Sequence, residues 1–348
     1  MNKVIIPTGY MGSGSSALTD LLSEFDGFEA PQGSFEYVFL HCPNGVFDLE
    51  DKLLVGNNAL RSDEALRSFE MAMSELFDTP FWWVGDYRRN LSPRFMEITH
   101  AYIHKLTLVE SESFWYPQER RGWGVFPRLA FNRILRTVTQ GKIFPQKPLL
   151  YGRMRFSLPT PDAFYQASRE YLADLFMEMG RDRTNLILDQ LLLPFNAWRR
   201  ERYFDGDAEC FIVDRDPRDV FILNKYVWSK SNSQIPYPEK VDEFCEYYRC
   251  MRRSEKIVSD PHVHRMHFED FVYDYDNTVQ RIAHALGVST RDHVNPLSGF
   301  DPKRSINNTQ LFLLPQYRDE ASVMAQELSE YLYEFPYERH PIGGDDIF

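Results

Sequence analysis

No stretch of this 348-residue chain reaches the roughly 18 uninterrupted apolar residues that a membrane-spanning helix needs, which sets a soluble protein as the expectation. Basic residues are in deficit. The 39 Lys and Arg against 51 Asp and Glu leave a formal net charge of −12, so long-range repulsion opposes general binding to nucleic acid or to an anionic membrane surface. Any anionic ligand must therefore meet a local basic pocket. Cysteine is scarce: Cys42, Cys210, Cys245 and Cys250 stand at spacings that make neither a zinc ribbon nor a CxxC redox pair, and a chain this long does not need disulfides. Buried free thiols are expected. The first apolar run, Val4-Ile5-Ile6, is too short for a signal-peptide core and no cleavage site follows, from which a cytoplasmic location is expected. Internal repeats and low-complexity stretches are lacking.

What is present is the composition of a globular enzyme, 43% hydrophobic and 26% charged, in a length that α/β proteins accommodate as one domain with an insertion. We expect one unit over 1–342 and a disordered acidic tail over 343–348. The opening residues read as strand (3–7), glycine turn (8–15) and helix, with Ala17, Leu18, Leu21, Leu22 and Phe25 at helical spacing. From about 60 to 180 the text changes character. Clean strands are few there, aromatic and basic residues are many, and helical periodicity runs through 65–76, 93–106 and 163–179. Strand signals return at 186–188, 210–213 and 263–268, the first two being short apolar runs that end in Asp, as buried parallel strands tend to do. A helix over 278–286 closes on Gly287. The expected fold is α/β, a P-loop-like parallel sheet of about five strands flanked by helices, with a large helical insertion over the active-site edge.

The turn Gly9-Tyr10-Met11-Gly12-Ser13-Gly14-Ser15-Ser16 has the glycine spacing of a Walker A loop, but Ser15 stands where the lysine would be. Glycines let successive N–H groups face inward and the following helix adds its positive dipole end, so an anion can be held without lysine. A γ-phosphoryl donor normally needs both lysine and magnesium. A phosphosulfate carries a less charged terminal group that amides and hydroxyls can manage. A second basic segment follows the strand at 210–213: Asp214-Arg215-Asp216-Pro217-Arg218-Asp219, with two arginines suited to bidentate phosphate contacts. Its bland alternative is an ion-paired turn in which the arginines only neutralise the three aspartates.

The turn at 12–16 resembles the 5′-phosphosulfate loop of the sulfotransferases that use 3′-phosphoadenosine 5′-phosphosulfate, and Arg215-Asp216-Pro217-Arg218-Asp219 resembles their 3′-phosphate-binding segment. Less specifically, His267-Phe268-Glu269-Asp270-Phe271 is similar to their strand-to-helix stretch, and Phe300-Asp301-Pro302-Lys303-Arg304-Ser305 to their late loop over the nucleotide. The resemblance covers roughly 1–40 and 185–312 and leaves the helical middle unmatched. It implies that Gly12, Ser13, Gly14, Ser15 and Ser16 hold the phosphosulfate and Arg215 the 3′-phosphate, with Lys303, Arg304 and Ser305 assisting. It also implies direct in-line transfer of the sulfuryl group from 3′-phosphoadenosine 5′-phosphosulfate to an acceptor hydroxyl, by resemblance a saccharide, with no metal required. Two positions depart from the family. Gly12 stands where a Lys or Arg usually precedes the Ser-Gly pair, and Leu223 stands eight residues after Arg215 where a serine is expected. Asn224 is the candidate to replace that serine. Arg88, Arg89, Arg153 and Arg155 are candidates for the missing cation.

Transfer to an alcohol needs a group that takes the hydroxyl proton. Glu36, His41 and Asp189 are the candidates: Glu36 follows the first helix where similar carbohydrate sulfotransferases place an acidic base, Asp189 ends the strand at 186–188, and His41 suits a phenol or steroid sulfotransferase. His262, His264 and His267 cluster in sequence, but only the first two would share a strand face, and no metal is expected there. Trp82-Trp83, Phe114-Trp115-Tyr116 and Trp123 are either core or a sugar-stacking groove. Three rival readings stay open: a P-loop kinase with Asp214 holding magnesium, a nucleotide switch built on Asn224-Lys225, and a sulfotransferase-like protein that binds nucleotide without turnover.

Overall fold

The structure is a computed structural model and describes residues 2–33, 35–80, 84–111, 125–142, 154–231 and 237–339. Seven strands form among them: β1 (Val4–Gly9), β2 (Phe28–Glu29), β3 (Val109–Ser111), β4 (Met154–Phe156), β5 (Asn185–Ile187), β6 (Ala208–Asp214) and β7 (Val263–His267). Five make one parallel sheet in the order β2-β5-β1-β6-β7. β1 and β6 are buried along their whole length and pair from Val4 opposite Ala208 to Gly9 opposite Val213. Their side chains alternate between two cores, as the strand period of two requires. Val4, Ile6, Leu186, Leu188, Cys210 and Ile212 face one, whereas Ile5, Ile187, Phe211 and Val213 face the other. The apolar runs in the sequence are unbroken because both faces of the sheet are covered.

The second core is closed by α1 (Ser15–Leu22), through Leu18, Leu21 and Leu22, and by the helices Phe268–Tyr273 and Tyr275–Leu286. Gly287 ends the last of these in the left-handed conformation, φ 73°. The first core is filled by the helical middle. Ala59–Asp78 outruns the expected 65–76 because the Asn58 side chain caps it, accepting from the N–H groups of Leu60 and Arg61. Pro161–Glu178 starts behind a Thr160 cap with proline in its first turn. Together with Phe95–Leu106 these helices bury Phe69, Tyr102 and Tyr171, the last two stacked with ring centroids 4.6 Å apart.

Several elements go beyond the sequence reading, among them the helices Val46–Leu54, Val241–Arg253 and Arg318–Glu327, the short strand β2, and the antiparallel pair β3–β4 in the middle of the chain. The paired strands have three residues each, too few for a period to show. Cys250 corrects the expectation of buried thiols, since it is exposed while Cys210 and Cys245 are buried. No described helix is long and apolar enough to cross a membrane. The acidic tail 343–348, Trp82-Trp83, Phe114-Trp115-Tyr116, Trp123 and Arg153 lie outside the described residues.

The chain leaves β1 for β2 and β5 on one side and reaches β6 on the other. The carboxyl ends of β5, β1 and β6 therefore meet at a topological switch point, where open parallel sheets bind ligands. The segment after β2 reaches this edge, where Tyr37 N–H donates to the Asp189 carbonyl at 2.9 Å.

Candidate functional site

β1 ends at Gly9 and α1 begins at Ser15. Between them Gly12 and Gly14 adopt φ values of 83° and 99°, a region glycine enters freely and other residues rarely do. Space enforces the same choice. A Cβ on Gly14 would stand 2.6 Å from the Phe268 ring, and one on Gly12 2.6 Å from the Trp228 ring. The loop is thus pressed between two aromatic rings. Ser13 is 1% exposed and its Oγ has no hydrogen-bond partner. Ser15 and Ser16 open α1, whose first N–H groups have no partner within the helix.

Arg215 follows β6 and lies against this loop. Its Nη1 donates to the Gly12 carbonyl at 3.2 Å, its Nη2 to the Asn308 carbonyl, and its guanidinium carbon sits 4.4 Å from the centre of the Phe268 ring. Nε is buried without a partner. The ion-paired turn describes Arg218, which binds Asp216 through Nε at 2.9 Å and Nη2 at 2.7 Å. It does not describe Arg215, which has no salt bridge with any described carboxylate. The acids nearby are otherwise engaged. Asp219 accepts the N–H groups of Gln310 and Leu311 at 2.8 Å each, and burial, with Asp216 adding, raises it to about 7. Glu269 accepts the Asp216 N–H at 2.9 Å, and burial followed by Asp216 raises it to about 8. Burial biases both acids toward their neutral forms, and Asp219, Glu269 and Asp216 attract the Arg215 charge without a salt bridge to it.

The late loop packs beside this pair. The helix Pro302–Ser305 rests on Phe268–Tyr273, so that Lys303 and Arg304 are exposed and Ser305 half-buried on the Phe268 side of the loop. Leu223 lies fully in an apolar cluster with Phe221, Phe244 and Tyr248 and presents nothing to a ligand. Asn224, the next residue and 7% exposed, belongs to a π-helical turn, Leu223–Val227. Such a turn inserts a residue into the helical register and re-aims the side chains around it.

The three candidate bases converge on one end of β5. Asp189 is 3% exposed with Oδ1 unpartnered, and burial, then the neighbouring Glu36 charge, pushes its carboxyl well above the usual carboxylate range. Glu36 is only half-buried, and burial raises it too. His41 Nε2 meets the Gln190 carbonyl at 2.8 Å, and burial lowers its ring to about 4. A carbonyl only accepts, so Nε2 carries the proton of the neutral ring. The candidate cations are engaged elsewhere: Arg88 pairs with Asp78 and Arg155 binds Glu70 at 2.7 Å, while Arg89 is exposed. His262 and His264 do share a face, and both reach the Glu209 carboxylate at 3.1 Å. His267, at the end of β7, keeps Nδ1 buried and unpartnered.

Residues that the sequence reading left without a role complete the site: Phe268 and Trp228 as walls, Asn308 as the second anchor of Arg215, and Gln190 beside Asp189. Gln190 had a readable signal, a polar pair closing a buried apolar strand, and Phe268 stood in the strand-to-helix stretch noted in the sequence.

No family model matches the chain, and no curated protein does. Among solved structures it is similar to a sulfotransferase domain from the Synechococcus PCC 7002 olefin synthase, with 14% identity, 96% of each chain covered and a TM-score of 0.42. A sulfotransferase domain from the curacin biosynthetic pathway is 14% identical over 97% of this chain and 99% of that one, with a TM-score of 0.39. A sulfotransferase from Mycobacterium avium is 12% identical over 97% of this chain and 77% of that one, with a TM-score of 0.35. These are likenesses in the course of the chain and carry nothing about chemistry.

Proposed function

We propose that the chain transfers a sulfuryl group from 3′-phosphoadenosine 5′-phosphosulfate to an acceptor hydroxyl. The observation that carries this reading is the meeting of a lysine-free P-loop with a buried arginine that makes no salt bridge to a described acid, each offering an unsatisfied donor, Ser13 Oγ and Arg215 Nε. Buried polar groups are normally satisfied, and a ligand with two separate anionic ends accounts for both. Ser13 to Ser16 and the open amides of α1 would hold the phosphosulfate, and Arg215, with Lys303, Arg304, Ser305 and Asn224 around it, the 3′-phosphate.

Of the three candidate bases, Glu36 fits the role best. It is the part-exposed member of the carboxylate pair, whereas Asp189 is buried and His41 has its Nε2 committed to a carbonyl. In the reaction the acceptor oxygen forms a bond to sulfur as the bond from sulfur to the phosphate oxygen breaks, and Glu36 takes the acceptor proton. The loop amides and serine hydroxyls face the charge that develops on the leaving phosphate. A saccharide acceptor rests on the family resemblance alone.

The kinase rival is weakened by Asp214. Its carboxylate, 3% exposed, is bound by Arg265 Nη1 at 2.7 and 2.9 Å and by Arg252 at 3.4 Å, and it is not free to hold magnesium. For the nucleotide switch, Lys225 is paired with Glu320 at 2.6 Å.

Calorimetric titration with 3′-phosphoadenosine 5′-phosphate, against ATP and GTP with and without magnesium, tests the reading. Metal-independent preference for the bisphosphate is expected. Preference for ATP with magnesium would replace it with a kinase that lacks the usual lysine.

A further inference from the structure

Gln190 is tied to three elements at once. Its Oε1 accepts from Thr8 Oγ1 at 2.9 Å, its Nε2 donates to Ser15 Oγ at 3.0 Å, and its carbonyl receives the His41 ring at 2.8 Å. Thr8 belongs to β1 and Ser15 is the first residue of α1, so one amide spans the phosphate-type loop from strand to helix. The backbone pays for this reach: φ at Gln190 is 60°, a left-handed conformation in which side chains other than Gly, Asn and Asp are uncommon. Glycine or asparagine would hold the turn with less strain, but neither is long enough to meet both hydroxyls. Packing alone does not account for the residue either. Thr8 is fully buried and Gln190 9% exposed, and an apolar side chain would fill that space without an amide to satisfy.

The bond from Gln190 has a direction. Ser15 Oγ accepts it, and the Asp189 carboxyl hydrogen-bonds the same hydroxyl from the other side, so Ser15 is held between the two residues that follow β5. A serine hydroxyl free of such a bond samples several rotamers, and the amide selects among them. The geometry points to Gln190 as a positioning residue that fixes the Ser15 hydroxyl beside the anion held by the loop. This rests on the sulfotransferase reading for the identity of that anion, as the 5′-phosphosulfate of the donor, and on the loop alone for its presence.

A double-mutant cycle tests it, comparing the intact protein with Ser15→Ala, Gln190→Met and the double variant. Affinity is read by calorimetry with two probes, 3′-phosphoadenosine 5′-phosphate and inorganic pyrophosphate, and folding by circular dichroism and thermal midpoint. Each single change is expected to weaken binding by about tenfold, the scale of one charge-assisted hydrogen bond, and the double variant to bind no more weakly than Ser15→Ala. Additive losses, or a Gln190→Met variant that binds as tightly as the parent, overturn the proposal. Gln190→Glu is the second variant should Met not fold: it keeps the shape, but when ionised it accepts from Ser15 instead of donating to it. Its affinity deficit is expected to grow as pH rises through the carboxylate range, and a pH-independent deficit counts against the proposal. Binding of pyrophosphate without preference for the bisphosphate nucleotide would remove the donor assignment, and the cycle on pyrophosphate would still decide Gln190. Failure of the intact protein to bind either probe would remove both.

Discussion

Arg215 Nη1 donates a hydrogen bond to the Gly12 carbonyl at 3.2 Å and joins two segments separated by 203 positions. One segment supplies open amides and serine hydroxyls, the other a permanent cation. Neither is distinctive alone, because glycine turns and arginine-aspartate turns are common. Their contact, with Arg215 in no salt bridge to a described acid, joins two weak signals into one candidate site.

Arg215→Ala is expected to weaken binding of 3′-phosphoadenosine 5′-phosphate by about 1.5–3 kcal/mol, the range for hydrogen bonds to charged groups. Arg215→Lys should restore only part of it, since an ammonium cannot hold Gly12, Asn308 and a phosphate in one plane. Calorimetry on the folded variants measures this, and unchanged affinity in Arg215→Ala would take the residue out of the site.

Gly14→Ala should disable the loop while leaving the rest of the fold intact. The left-handed backbone at 99° and the Phe268 ring 2.6 Å from the new Cβ together should destabilise the protein by about 1–3 kcal/mol and reduce nucleotide binding. Gly33, also at positive φ but with nothing within 4 Å of its Cβ position, is the control: its alanine variant should lose stability without losing nucleotide. Thermal unfolding and titration of both variants separate the two effects.

Glu36→Gln should lower the turnover rate by roughly 10²–10⁴-fold with little change in donor affinity, as loss of a general base does. The base acts ionised, so the rate should rise with pH through the Glu36 pKa, which burial places above the ordinary 4.5. His41, lowered to about 4, is already neutral there and adds no limb of its own between about pH 6 and 8. A limb in that window that vanishes in His41→Ala would move the base assignment to histidine.

Glu209 offers a stability test away from the site. It is 2% exposed and receives His264, Lys3 and His262; burial alone would raise its pKa, but these bonds hold it at about 2. A carboxylate lowered on folding stabilises above its unfolded pKa and loses that contribution as pH falls through the folded value. Glu209→Gln should therefore cost roughly 2–3 kcal/mol at pH 7, a difference that narrows as pH falls from 4.5 toward 2. Urea unfolding of both proteins across that range checks it; a constant difference would mean that the loss is one of packing.

Much of the frame was legible in the sequence because the information is local. Apolar runs such as 4–6 and 210–213 signal buried strands, periodicity signals the long helices, and Gly12, Gly14, Pro217 and Gly287 mark turns and helix ends by the backbone conformations they allow. Residue type also made Ser13, Ser15 and Arg215 candidates for anion chemistry. What tertiary structure decided is which of several similar groups is available. Arg215 and Arg218 read alike, but only Arg218 is neutralised by Asp216. Glu36, Asp189 and His41 all qualified as bases, and burial and hydrogen bonding, which depend on residues far away in the chain, separated them. Leu223 and Asn224 differ by one position in the same π-turn, and Leu223 packs into an apolar cluster that does not include Asn224. Conformational preference is a property of neighbouring residues, whereas desolvation and the pairing of charges belong to the packed chain.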